Sequence, residues 1–297
     1  MSHDREGQLL AVGSRARSTV GWALSPLAVA LALSAQVSTA ARVGLLPFDQ
    51  SFAAGKDGEW LTLLATVTGL AAITSALGGL VAAGLLSGAL RRSGGIVVVA
   101  LAGLAAVPLL RGMAGEARDV SLAIGGPRNS VTIALTIGLA LGAATAGTVP
   151  ASNRRSAAVG LAVTVAALWI LAAVGTRTAV GPPPLGLPSD LLRTRNVSGL
   201  GGWFPLPALL WAVIGAASAL IARHFAAGRG SALLSGVLGA ALISLSYFAA
   251  RPNQPYVDHL TVPNSAPGLT ITLVGGALIG AGLATFIPFR ANGGTAV

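Results

Sequence analysis

Cysteine is absent from this 297-residue chain, which excludes disulfides, thiolate catalysis and cysteine-ligated metals. Charge is scarce too: Asp, Glu, Lys and Arg make up 9% of the residues, against about 25% in an ordinary soluble domain. Lysine occurs once, as Lys56, and histidine three times, as His3, His224 and His259. The most telling absence is local. None of the long apolar stretches contains Asp, Glu, Lys, Arg or His, so the ionisable residues fall between them.

That distribution removes several functions at once. Proton relays, ion pumps and voltage sensors hold ionisable side chains within the membrane, because such a group carries or senses the charge. The commoner axial haem ligands inside an apolar bundle are His, Cys and Met, and the two methionines, Met1 and Met113, also lie outside the stretches. Zinc sites and intramembrane proteases need paired His and carboxylates at ligand spacing. A GxxxxGK[ST] nucleotide loop is missing as well, so any energy from ATP must come from another chain. No cofactor is expected.

What is present is apolar surface, with 54% hydrophobic residues and a mean hydropathy of +0.77. About 20 apolar residues cross roughly 30 Å of hydrocarbon. Eight stretches meet or approach that length, at residues 19–40, 60–90, 94–110, 131–150, 157–176, 203–221, 231–250 and 268–289. The second is the longest and must tilt, kink or protrude; the third is short. Lipid offers no partner to backbone N–H and C=O groups, and the runs are too long for barrel strands, so each should be helical. A secretory leader is the rival reading of the first stretch, whose length argues against it.

The chain also repeats itself. Residues 131–147, VTIALTIGLALGAATAG, align with residues 269–285, LTITLVGGALIGAGLAT, with seven identities in seventeen positions at an offset of 138. Arg17-Ser18 and Arg155-Ser156 share that offset, before the first and fifth stretches. The expected fold is therefore an all-α integral membrane protein of about eight transmembrane helices in two tandem parallel four-helix repeats. Residues 1–18 would form a cytoplasmic tail, 19–150 the first repeat, and 151–297 the second with a short cytoplasmic C-terminal tail. Four spans return the chain to its starting side, which implies a pseudo-two-fold axis along the membrane normal.

Orientation follows from short loops in which Arg91, Arg92, Arg154, Arg155, Arg223, Arg229 and Arg290 abut the spans. By the positive-inside rule these are cytoplasmic, with both termini. The net charge of +10 is dispersed over many loops, which fits anionic lipid headgroups rather than nucleic acid. Eighteen arginines to one lysine, in an Ala- and Gly-rich alphabet, suggest a bacterial cytoplasmic membrane.

Small residues mark the expected helix contacts. Gly84/Gly88, Gly138/Gly142 and Gly276/Gly280 are GxxxG pairs, with Ser75/Gly79, Gly215/Ala219 and Ser235/Gly239 as close variants. Such pairs bring helix backbones together where no hydrophobic drive exists between helices. The intramembrane polar groups are mild: Gln36, Thr62, Thr66, Thr68, Thr74, Ser75, Thr132, Thr136, Thr145, Thr270 and Thr272. Each hydroxyl either bonds its own helix's carbonyls or lines a weakly polar path.

Reactive groups remain only in the outer loops, among Asp49, Asp57, Glu59, Glu116, Asp119 and Asp190, with Arg251, Tyr256, Asp258 and His259 as the best candidate cluster. Solvated loop charge is the plainer reading, since no catalytic spacing is recognisable. The first functional expectation is a permease-like protein or export-system membrane component for an uncharged or amphipathic compound. The second is a non-catalytic structural or accessory subunit, and the third an interfacial enzyme using outer-loop carboxylates. Expected partners are membrane lipids and a separate ATPase subunit or other membrane proteins. A polar-lined path between spans two, four, six and eight would favour transport, and a solid bundle the subunit.

Overall fold

The computed structural model describes residues 3–52, 57–86, 88–120, 123, 125–175, 205–225, 227–250 and 270–288. Among these, α1 spans His3–Arg42, α2 Asp57–Leu85, α3 Ala89–Ala102, α4 Val107–Ala114, α5 Pro127–Thr148, α6 Arg154–Gly175, α7 Pro205–His224, α8 Arg229–Ala249 and α9 Gly276–Phe286. No strand occurs among the described residues beyond an isolated bridge between Ser51 and Arg118. The protein is all-helical and membrane-embedded, with six helical segments long and apolar enough to cross a bilayer.

Those six are Leu24–Arg42, Gly58–Leu85, Arg91–Ala114, Pro127–Thr148, Ala151–Ala173 and Arg229–Ala249. Two further apolar helices, Ala208–His224 and Ile271–Phe286, are shorter. At 1.5 Å per residue they reach about 26 and 24 Å, just under the hydrocarbon thickness.

Local chemistry sets the boundaries. The second stretch, expected to run to residue 90, ends as α2 at Leu85, because Gly88 has a φ of 87° and turns the chain into α3. This left-handed region is open to glycine at little cost. The third stretch is longer than expected, not short. Pro108 has no N–H for the carbonyl four residues back; the chain tightens to a 3-10 turn over Gly103–Ala106 and continues as α4. Helix α5 opens on Gly126, φ 92°, with Pro127 at its first position, where the missing donor costs nothing. A π-helical turn over Ile271–Gly275 leads into α9. The expected cytoplasmic tail is helical from His3 and continuous with α1.

Helix α2 is the hub, packing on α1, α3, α5, α6 and α8. Residues 63–76 are consequently buried on every side. In the second half α7 packs on α6, α8 and α9. The two halves meet where α2 packs on α6 and α8, and α5 on α8. A two-fold axis would require the reciprocal pairs, α7 with α1 and α3, and α9 with α3; among the described residues these are not packed. The packing among the described residues therefore lends no support to the expected pseudo-two-fold relation.

Arginine ties off the last helix. One terminal nitrogen of Arg223 donates to the carbonyls of Ala284 at 2.9 Å, Thr285 at 3.3 Å and Ile287 at 2.6 Å, meeting orphan acceptors and the negative end of α9 together. Arg223→Gln should cost about 1 kcal/mol and fray that end. Hydrogen–deuterium exchange should show protection lost over residues 284–287, with α5 unaffected.

Candidate functional site

The densest contacts are glycine seams between α2 and α5 and between α7 and α9. A Cβ added at Gly138 would collide with the Thr68 carbonyl oxygen on α2, and one at Gly142 with that of Ala72. In the second half, Gly276 meets the Ala208 carbonyl on α7 and Gly280 that of Ala212. A third approach accompanies each seam. Ser75 Oγ donates to the Leu139 carbonyl at 3.0 Å, and Gly215 lies against the carbonyl of Ala277. At such separations Cα–H groups face carbonyl oxygens and the helices gain backbone dispersion contacts.

Gly84 and Gly88 do not form such a pair. A Cβ at either position would meet nothing within 4 Å, and Gly88 lies beyond the end of α2 at positive φ, so the two do not share a helix face. Sequence reading also missed Gly160, which sits against the Ser235 carbonyl where α6 crosses α8. Its signal was Ser156/Gly160, a small pair four residues apart.

The intramembrane hydroxyls are occupied. Thr62, Thr66, Thr132, Thr136, Thr145 and Thr164 each donate to a carbonyl four residues back, at 2.8–2.9 Å. Thr68 divides its proton between Leu64 O at 2.9 Å and Ala134 O at 3.1 Å across the seam. Thr74 donates to Gln36 Oε1 at 3.1 Å, linking α2 to α1. Thr270 and Thr272 are also partnered. Only Ser218 and Ser244 bury a hydroxyl without a partner among the described residues, and they lie on different helices. Among the described residues these hydroxyls do not form a free polar stripe along one helix.

The N-terminal end of α2 is plugged. Leu45, Leu46, Phe48 and Phe52 are buried, and Phe52 meets Trp60 edge-on with ring centroids 5.2 Å apart. Trp60, at the head of α2, is 0% exposed; its Nε1 has no partner among the described residues. The Phe52 N–H donates to the Arg118 carbonyl at 2.9 Å, and Ser51 Oγ to the Asp119 carboxylate at 2.7 Å. Asp119 is held at φ 55°.

The loop carboxylates show no catalytic arrangement among the described residues. Asp49, Glu116 and Asp119 are exposed, and Glu59 accepts from Gln50 Nε2 at 3.4 Å. No group of three metal-ligating side chains forms among the described residues. Arg251, Tyr256, Asp258, His259 and Asp190 lie outside the described residues. No family model, curated protein or solved structure matches this chain.

Proposed function

We propose that the chain is a non-catalytic structural or accessory subunit of a larger membrane assembly. It is read as two tandem four-helix units, residues 19–150 and 151–297, with eight spans in a bacterial cytoplasmic membrane and both termini on the cytoplasmic side. The observation that carries the functional reading is the closed centre: residues 63–76 of α2 are buried on every side, the hydroxyls of that stretch are occupied by backbone carbonyls and Gln36, and the N-terminal end of α2 is plugged by aromatic and leucine side chains. A permease or enzyme needs a cavity with convergent polar groups. A scaffold needs rigid helices and uncharged outer faces.

Support for the two units comes from the seams. The three approaches in the first half recur in the second, offset by 138 residues along α5 and α9 and by 140 along α2 and α7. Packing order recurs too. In each half the first helix packs on the second and third, the second on the third and fourth, and the third on the fourth.

The test is purification of the tagged protein from its native membrane in mild detergent, with mass spectrometry of whatever accompanies it in fixed ratio. The proposal expects one or more membrane proteins at constant stoichiometry. A stoichiometric ATPase would favour the export-system reading, and recovery of the chain alone would overturn the accessory role.

A further inference from the structure

We infer that the chain binds a second copy of itself head to tail, the α7/α9 face of one molecule receiving the α1/α3 face of the next. This rests on the two-unit reading above. Within one molecule, the α2/α5 face of the first unit sits on the α6/α8 face of the second. The contact is heterologous, joining two different faces. In the second unit the counterpart of α2/α5 is α7/α9; in the first, the counterpart of α6/α8 is α1/α3. One heterologous contact between two like units leaves one face of each kind over, and no described element packs across either. Repeated between molecules, the same contact builds a ring or an open filament.

Burial follows this division. Ile73 on α2 is 1% exposed, whereas Val213, 140 residues on in α7, is 59% exposed. Leu242 on α8 is 1% exposed, and Leu104, 138 residues earlier in the turn after α3, is 36% exposed. Leu31 on α1 is 61% exposed, while Trp169, its counterpart on α6 at the same offset, packs against the core. Positions closed in one unit are thus open at the corresponding positions of the other. The open positions are apolar and uncharged, so bringing the two faces together desolvates no charge.

The cysteine-free sequence makes the test direct. Leu31→Cys and Val213→Cys, each on an exposed position and carrying different tags, are co-expressed and mildly oxidised in intact membranes. The expected product is a mixed 31–213 dimer well above either like pair, and a ladder of multimers from the double variant. Ile170→Cys, 65% exposed on α6, is the lipid-facing control and should stay uncross-linked. Mixed dimers no more abundant than the control, or dominated by 31–31 or 213–213 pairs, would overturn the inference. Unmodified protein in nanodiscs should give masses at multiples of 29.2 kDa; a uniform monomer there would also overturn it. If self-association fails while another membrane protein co-purifies in fixed ratio, the accessory role stands alone. Mixed dimers without any other partner would leave self-assembly standing and remove the accessory role.

Discussion

Gly280→Leu should prevent the second half from assembling. The site that a side chain would need is occupied by the Ala212 carbonyl of α7, a backbone atom that moves only if the whole helix moves. Overpacking commonly costs 1–3 kcal/mol; with backbone as the obstacle, about 3 kcal/mol or more is expected, with poor recovery from the membrane. Gly142→Leu meets the Ala72 carbonyl and should behave alike. Gly84→Ala and Gly282→Ala are the contrast, because a Cβ at either meets nothing within 4 Å. In a helix the change to alanine should leave stability equal or raise it by up to about 1 kcal/mol. Thermal unfolding in detergent checks all four. Equal stability of the Gly280 and Gly84 variants would remove the seam from the account.

Trp60→Ala should be the most damaging change outside the seams. The indole is fully buried at the head of α2, edge-on to Phe52, and truncating such a side chain typically costs about 3–5 kcal/mol. The cap formed by residues 45–52 would lose its floor, and the loop carrying Arg118 and Asp119 would loosen with it. Trp60→Phe should recover most of the loss, since it keeps the aromatic contact and removes an N–H that has no acceptor among the described residues. Thermal unfolding and protease sensitivity of the loop between α1 and α2 are the measurements. A Trp60→Ala protein as stable as the parent would show that the cap is not part of the packed core.

Much of this architecture was legible in the residues because membrane physics leaves few alternatives. Ionisable side chains excluded from apolar runs mark helix boundaries, and small residues at fourfold spacing mark close contacts. Gly138/Gly142 and Gly276/Gly280 illustrate this, since they fall on the seams. Gly84/Gly88 shows the limit: the same spacing has no meaning once the helix ends between its members, and only the backbone reveals that Gly88 is a turn. The burial of Trp60 was not legible. Tryptophan at a span's end suits an interface, but residues 45–52 fold back over it, a contact between segments that pattern does not encode. The packing of α2 on α6 and α8 was hidden too, because small-residue spacing marks a helix face without naming its partner.

The central claim, that the bundle is closed around α2 and offers no aqueous path, is tested most directly at Ser75. This side chain is fully buried, hydrogen-bonded across the seam to Leu139, and its replacement by cysteine is nearly isosteric in a chain with no other thiol. The thiolate is the nucleophile that attacks a thiol reagent, and it forms only where water reaches the sulfur. In intact membranes Ser75→Cys should resist a small hydrophilic methanethiosulfonate and react fully once unfolded in SDS. Prompt labelling in the folded, membrane-embedded protein would contradict the account and place a water-filled path through the centre of the bundle.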